Sequence, residues 1–447
     1  MKRIKRLAVG CLVWLMIVFA SVVAPLPAMA EGLPVSTLSS DVARDWFALQ
    51  LPLVRRTWGF SPPVAARAFG YLGVTLYESV VPGMPDYQSL SNQLNELSEL
   101  PQPETGSSYH WGVVANSALA TMTRSLYPTA HEANRAAIDA LYQTYAARFQ
   151  NEVDAATFAR SVEYGQRVAA AVFEWSTTDG GHEGYKRNFP ANYQPPTGAG
   201  MWEPTPRAKG EAQPAMQPTW GDNRPFVLAS GIECAPPPPP PYSEEPDSAF
   251  YAEALEVYTV TSELTAEQRE IARFWADDPF RTATPAGHSI SILTQVLAEQ
   301  NATLDIAAEA YARMGIGLSD AFISCWSAKY QYNLVRPITY IQSVIDSEWT
   351  SPLVTPPFPE YPSGHSVESS AAAAILTGLF GEDYAFTDHT HDEWGLPARS
   401  FGSFEAFAQE AALSRIYGGI HYRAAVENGL AQGACIAAKV EQIEFHA

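Results

Sequence analysis

Several common classes are excluded by what this chain has little of. Cysteine is scarce, four in 447 residues, and Cys11, Cys234, Cys325 and Cys435 show none of the paired spacings of a structural zinc site or a haem attachment. Basic residues are few: 28 Lys and Arg stand against 48 Asp and Glu, a balance that argues against nucleic acid and anionic membrane surfaces as partners. Beyond the first thirty residues no apolar run approaches the roughly 18–20 residues of a membrane span. Convincing period-2 alternation, the mark of a half-buried strand, is absent, and no internal repeat is visible.

What is present begins with a leader. Lys2, Arg3, Lys5 and Arg6 precede an apolar run from Leu7 to Ala24 and the small-residue site Ala28-Met29-Ala30. That is the plan of a secretory signal, 1–30, cleaved after Ala30, and it predicts a secreted or periplasmic protein. The mature chain keeps 24 basic and 48 acidic residues, a net charge of −24. It also keeps three cysteines, enough for one disulfide whose pairing the spacing leaves open.

The remaining pattern is helical. Ser61-Pro62 opens a helix that Pro82-Gly83 ends, and apolar helical periodicity covers 109–126, 131–149 and 153–176. Thr265-x-x-Gln268 is a capping box for a helix carrying Trp275, and further helices fit 288–300, 303–335, 364–380, 403–417 and 420–443. Between 177 and 247 the chain turns rich in Pro, Gly and Trp and ends in Pro236 to Pro241, an extended polyproline run. Such a long loop is read as a wrap over the helical body, burying Trp202, Trp220 and Phe226. The expected fold is therefore all-α: two packed four-helix-bundle-like halves, 31–176 and 248–447, with a long Pro-rich irregular loop at 177–247. His389 and His391, beside Asp388 and Asp392, are read as a solvated turn in preference to a metal clamp.

Three segments of the second half carry the chemistry. In Lys329-x6-Arg336-Pro337 the two cations are seven residues apart, nearly two turns, and are expected on one face of one helix. Arg336 offers a planar fork to two oxyanion oxygens and Lys329 a compact charge. In Pro362-Ser363-Gly364-His365, Ser363 sits where an N-cap belongs and Gly364 permits close backbone approach. Free N–H groups and the positive dipole end favour an anion there, with His365 placed for proton transfer. In Ser414-Arg415-x5-His421, Gly418-Gly419 lets Arg415 close one helix while His421 opens the next, both facing one pocket. Three cations, two imidazoles, a hydroxyl and a glycine amide suit a tetrahedral oxyanion such as phosphate or vanadate.

With these residues the sequence resembles the vanadium-dependent haloperoxidases, whose superfamily includes acid phosphatases and type 2 phosphatidic acid phosphatases. The resemblance implies that Lys329, Arg336, Ser363, Gly364 and Arg415 hold the oxygens of vanadate, that His421 is the axial vanadium ligand and that His365 is the acid–base group. It further implies that Lys329 polarises the peroxide. Trp326 and Phe358 look like the chloroperoxidase-type halide side of the pocket. In Phe274-Trp275-Ala276-Asp277-Asp278, Asp278 better matches the aspartate that braces the cage arginines.

The implied reaction is oxidation of a halide by hydrogen peroxide to a hypohalous-acid-type species that halogenates a small organic acceptor, with vanadium acting as a Lewis acid. Phosphate fits the same cage, so a soluble acid phosphatase working through a phosphohistidine at His421 is an alternative, and a non-catalytic oxyanion-binding protein a third. One departure bears on the choice. The phosphatase branch, and many haloperoxidases, place an aspartate four residues after the axial histidine, where Ala425 stands here. Loss of that carboxylate is expected to weaken a nucleophilic histidine more than a ligating one.

Overall fold

Thirteen helices and one short hairpin make up the computed structural model over its described residues, 34–206 and 212–447. The expected leader and its cleavage after Ala30 lie outside them. The helices are α1 (Asp41–Arg56), α2 (Pro62–Val80), α3 (Trp111–Leu126), α4 (Glu132–Phe149), α5 (Ala155–Ser176), α6 (Ala249–Ser262), α7 (Ala266–Phe274), α8 (Thr284–Glu299), α9 (Leu304–Tyr332), α10 (Pro337–Val344), α11 (Gly364–Phe380), α12 (Phe404–Tyr417) and α13 (Arg423–Val440). The antiparallel pair β1 (Phe386–Asp388) and β2 (Arg399–Phe401) sits between α11 and α12. Three-residue strands are too short to show alternation.

Local chemistry sets many of the starts. Asp154 accepts the N–H groups of Ala156 and Thr157 at the head of α5, Ser248 caps α6 and Ser403 caps α12. Both arms of the Thr265–Gln268 capping box are made on α7. Each satisfies amides that a helix leaves open at its N-terminus. Helices α1, α6 and α10 fall outside the expected set: α1 contains Pro52, and α10 has only eight residues.

The long helix α9, buried along most of its length, is the central element. It packs against α2 from the first half and against α11, α13 and α8 from the second, and the main apolar core runs from Val35 to Phe445, with smaller buried clusters around Tyr340 and Ile416. Small residues bring α2 and α9 together. A Cβ on Gly73 would stand 2.3 Å from the Tyr311 carbonyl oxygen, and one on Gly315 would stand 2.4 Å from that of Phe69. Gly73→Ala is therefore expected to cost about 1–3 kcal/mol of stability, as overpacked cores do. Urea unfolding of the variant beside the parent measures this, and equal midpoints would show that the helices separate without strain.

The segment after α5 lies along α9. Trp202, Trp220 and Phe226 are buried, and the amides of Phe226, Val227 and Leu228 donate to the carboxylate of Asp320 on α9 at 2.7, 2.9 and 3.1 Å. Cys234 of this segment is disulfide-bonded to Cys435 on α13, leaving Cys325 as a buried free thiol.

Candidate active site

The three segments converge at the C-terminal end of α9, but not by the route their spacing suggests. Asn333 takes a left-handed conformation, φ 47°, and ends α9 there, the usual role of Asn or Gly at a helix C-terminus. Lys329 is therefore in the last turn of α9, and Arg336 lies past its end, as the residue preceding α10. The two do not share a helix face, and the expected helix 303–335 is really Leu304–Tyr332. The connector between them lets Arg336 turn back into the same pocket.

Each cation is fully or almost fully buried. Lys329 Nζ donates to the carbonyls of Pro359 and Glu360 at 3.1 and 2.9 Å, and to that of Pro362. Arg336 Nε donates to the Phe358 carbonyl at 2.9 Å and Nη1 to that of Ile420 at 2.7 Å. Arg415 Nη1 donates to the Trp275 carbonyl. The Pro-rich loop 356–362 thus supplies carbonyls that orient two of the cations. Burial pushes Lys329 down to about 7 and Arg336 and Arg415 down to about 10. The charge of Asp278, and then that of Asp277, supports the Arg415 cation.

Ser363 caps α11 by accepting the amide of Ser366 at 3.3 Å, and Gly364 is that helix's first residue. A Cβ on Gly364 would find no atom closer than 3.7 Å, the nearest belonging to Trp326, Cys325 and Lys329. Across this space Gly419, φ 69°, makes the turn between α12 and α13, where a Cβ would meet Pro352 at 2.8 Å. Arg415 lies in the last turn of α12 and His421 just before α13, as the glycine pair implies.

His421 is held by a residue that the sequence reading missed. Its Nδ1 lies 2.8 Å from Glu360 Oε1, which also accepts the amide of Tyr422 at 2.9 Å. Because Oε1 is already an acceptor, the imidazole proton sits on Nδ1 and the lone pair on Nε2, 3.3 Å from Arg336 Nη1. Burial, with Arg336, Lys329 and Arg415 adding to it, holds His421 well below the ordinary imidazole range. Burial raises Glu360 to about 8, against the pull of Arg336 and Lys329. In either protonation state Oε1 keeps its accepting role. The expectation that Ala425 leaves the imidazole without a carboxylate is thus overturned, and its argument against a nucleophilic histidine falls with it. An acid inside the aromatic, Pro-rich run Pro356-Pro357-Phe358-Pro359-Glu360-Tyr361-Pro362 was the available signal.

His365, in the first turn of α11, hydrogen-bonds the Trp275 carbonyl that Arg415 also uses. Its Nε2 is shielded and has no partner. Burial first and Arg415 second hold its basicity well below the usual range. Trp326 and Phe358 pack with ring centroids 4.9 Å apart. Phe358 lies 5.0 Å from both Lys329 Nζ and the Arg336 guanidinium carbon. This aromatic wall faces the cations, with the Trp326 indole N–H held by the Met216 carbonyl at 3.3 Å.

A second buried group lies behind Trp275, whose ring stacks on His288 at 4.5 Å. His288 Nδ1 is 2.8 Å from Asp277 Oδ2 and its Nε2 is 2.7 Å from Asp388 Oδ2. His391 Nε2 approaches Asp277 Oδ1 at 3.5 Å. The reading of 388–392 as a solvated turn is corrected here. His391 and Asp388 are buried, 3% and 0% exposed, and only His389 and Asp392 form an exposed pair. Aromatic contacts from Phe274 and β-pairing of Asp388 with Arg399 draw the segment inward.

The family model of the VCPO second helical-bundle domain matches residues 309–445. The structure is similar to that of the first bacterial vanadium-dependent iodoperoxidase, with 37% sequence identity, 92% of this chain and 97% of that one covered, and a TM-score of 0.83. The chain belongs to the vanadium-dependent haloperoxidase family.

Two forms of a bacterial vanadium-dependent chloroperoxidase share the fold. The holo form is 17% identical with a TM-score of 0.71 over 91% of this chain and 98% of that one. The apo form is 16% identical with a TM-score of 0.69 over 92% and 98%. Comparison with curated proteins gives no match.

The residues of the cage fit the family's oxyanion. Buried Arg336 Nη2 and Arg415 Nε have no protein partner, and buried donors left unpaired are costly. Lys329 and Arg336 share the carboxylate of Glu360, and buried charge left unbalanced calls for further negative charge. An oxyanion among them, over Gly364 and facing His421 Nε2, would answer both needs.

Proposed function

We propose that this chain is an exported vanadate-dependent haloperoxidase that uses hydrogen peroxide to oxidise halide, with iodide its preferred halide, to a hypohalous-acid-type species. The observation that carries the reading is the buried set of Lys329, Arg336 and Arg415 with the lone-pair Nε2 of His421 beside Arg336. In this reading His421 Nε2 ligates vanadium, and the three cations, the Ser363 hydroxyl and the Gly364 amide hold the oxygens. Bound vanadate would supply Lewis-acid activation of hydrogen peroxide without a change in its own redox state. His365 Nε2 accepts the proton that hydrogen peroxide gives up and returns it to the oxygen that leaves as water. Lys329 stabilises negative charge on the reacting oxygens. Overall, hydrogen peroxide, a halide ion and a proton give hypohalous acid and water, and a small organic acceptor takes the halogen.

Iodide is chosen because the 37%-identical relative is an iodoperoxidase. The Phe358 side chain, read from sequence as chloroperoxidase-like, makes chloride the contrary outcome. Export is supported by the leader and by the Cys234–Cys435 disulfide, since such bonds persist in oxidising compartments. Mass measurement of the mature chain should place its first residue at Glu31. One observation favours a second reading: Glu360 would orient a nucleophilic His421 as well as a ligating one, so phosphate-ester hydrolysis is part of the test.

The experiment strips the protein of phosphate, reconstitutes it with orthovanadate, and follows halogenation of a diketone reporter by peroxide with iodide, bromide and chloride. The apo protein is assayed in parallel on a phosphate ester. Vanadate-dependent turnover that is fastest with iodide supports the proposal. Ester hydrolysis that vanadate blocks, with no halogenation, replaces it by the phosphatase. The acid limb of the turnover profile should also lie below the ordinary imidazole range, because His365 is held neutral there. A limb at the usual histidine value, unchanged in His365→Ala, would remove His365 from the proton transfer.

A further inference from the structure

We propose that Asp277, His288 and His391 form a binding site for a divalent first-row metal ion, separate from the oxyanion cage, with Asp388 orienting His288. The three residues each turn one donor atom to a common point, all within 4.8 Å of one another, and all three are buried. Two imidazoles and a carboxylate are a donor set that zinc and its neighbours take readily.

The geometry is closest to coordination where it is poorest for hydrogen bonding. Asp277 Oδ1 stands 3.5 Å from His391 Nε2, beyond a normal hydrogen bond, and it has no hydrogen-bond partner although Asp277 is only 3% exposed. Two donors of a tetrahedral ion with bonds of about 2.1 Å are roughly 3.4 Å apart. The unpartnered oxygen and the imidazole nitrogen therefore already stand at the separation that one ion would impose.

The surroundings match what a metal site needs next. A ligating histidine commonly gives its other ring N–H to a carboxylate that fixes the ring. With Nδ1 of His288 toward the ion, Nε2 points at Asp388 Oδ2, 2.7 Å away. Asp388 is itself held by the amide and hydroxyl of Thr390 at 2.9 and 2.6 Å. Coordination would replace the contact of 2.8 Å between His288 Nδ1 and Asp277 Oδ2 by bonds from both residues to the ion.

An entry path exists as well. Asp277, His288 and His391 line one cavity of about 420 Å³, whose mouth carries Arg55, Glu393 and Trp394. Three protein ligands with the remaining position facing a cavity is the plan of an open site, able to hold water or a small anion beside the ion. The site would also tie three separate pieces of chain together: the connector after α7, the first turn of α8, and the loop after β1.

The test uses untagged protein, treated with chelator and titrated with zinc by calorimetry. One zinc per chain with sub-micromolar affinity is expected. His391→Ala should weaken it by at least about 100-fold, more than the loss of a supporting residue alone. His389→Ala should leave it unchanged, because His389 belongs to the exposed pair. No stoichiometric zinc in the parent, equal affinity in His391→Ala, or loss in His389→Ala would each overturn the proposal. Cobalt(II) reads the same site in the parent without any substitution. Intense visible bands of a four- or five-coordinate ion support the proposal, and the weak absorption of a purely octahedral ion overturns it.

Discussion

His421→Ala is expected to abolish stable vanadate loading while the protein stays folded. The imidazole keeps its lone pair on Nε2 beside Arg336, with its proton fixed on Nδ1 by Glu360. The cations can still attract an oxyanion after the change, but only reversibly and without a bond to the central atom. The loss in affinity should therefore exceed the roughly 10–100-fold that follows removal of a supporting residue. Equilibrium dialysis with orthovanadate, with circular dichroism as the check on folding, measures it. Full loading of the alanine variant would show that His421 is not the ligand.

Glu360→Ala should have the largest combined effect on stability and affinity. Glu360 is 0% exposed, and its removal leaves His421 Nδ1–H and the Tyr422 amide without an acceptor and takes a supporting carboxylate from Lys329 and Arg336. Breaking a buried charged network in this way costs about 3–5 kcal/mol, and a freely rotating His421 should lower vanadate affinity by about 10–100-fold. Glu360→Gln separates the two contributions. Its side-chain oxygen can still accept both hydrogen bonds, so stability should largely return. Denaturant unfolding and vanadate titration of both variants decide the matter, and parent-like behaviour of Glu360→Ala would remove Glu360 from the site.

The parts of this site that were legible are those whose signal is local. Pro362-Ser363-Gly364-His365 places an N-cap, a small residue and a ring on consecutive positions, and α11 begins at Gly364 as those residues require. Gly418-Gly419 likewise announces the break between α12 and α13. The partnership of Glu360 with His421 spans 61 positions and leaves no mark on either segment's periodicity. The end of α9 was misplaced because apolar spacing runs on through Leu334 and Val335, and a left-handed Asn333 interrupts it without any proline or glycine. His391 was read as solvated because its immediate neighbours are polar. Its burial comes from Phe274 and His288, more than a hundred positions away.

The wrapping segment has a consequence for how relatives of this chain can diverge. Its Met216 carbonyl holds both the Trp326 indole and the Tyr330 hydroxyl, and the Met216 amide binds the Pro357 carbonyl. One face of the Trp326–Phe358 wall is therefore set from a stretch of irregular backbone, while the charged groups of the cage are anchored at helix ends and by the Pro-rich segment 356–362. Under the proposed function, changes of length or sequence in the stretch would reshape which halide or acceptor is admitted while the groups that grip the oxyanion keep their places. Halide choice would then be tuned from the wrapping segment without displacing the side chains that hold the oxyanion.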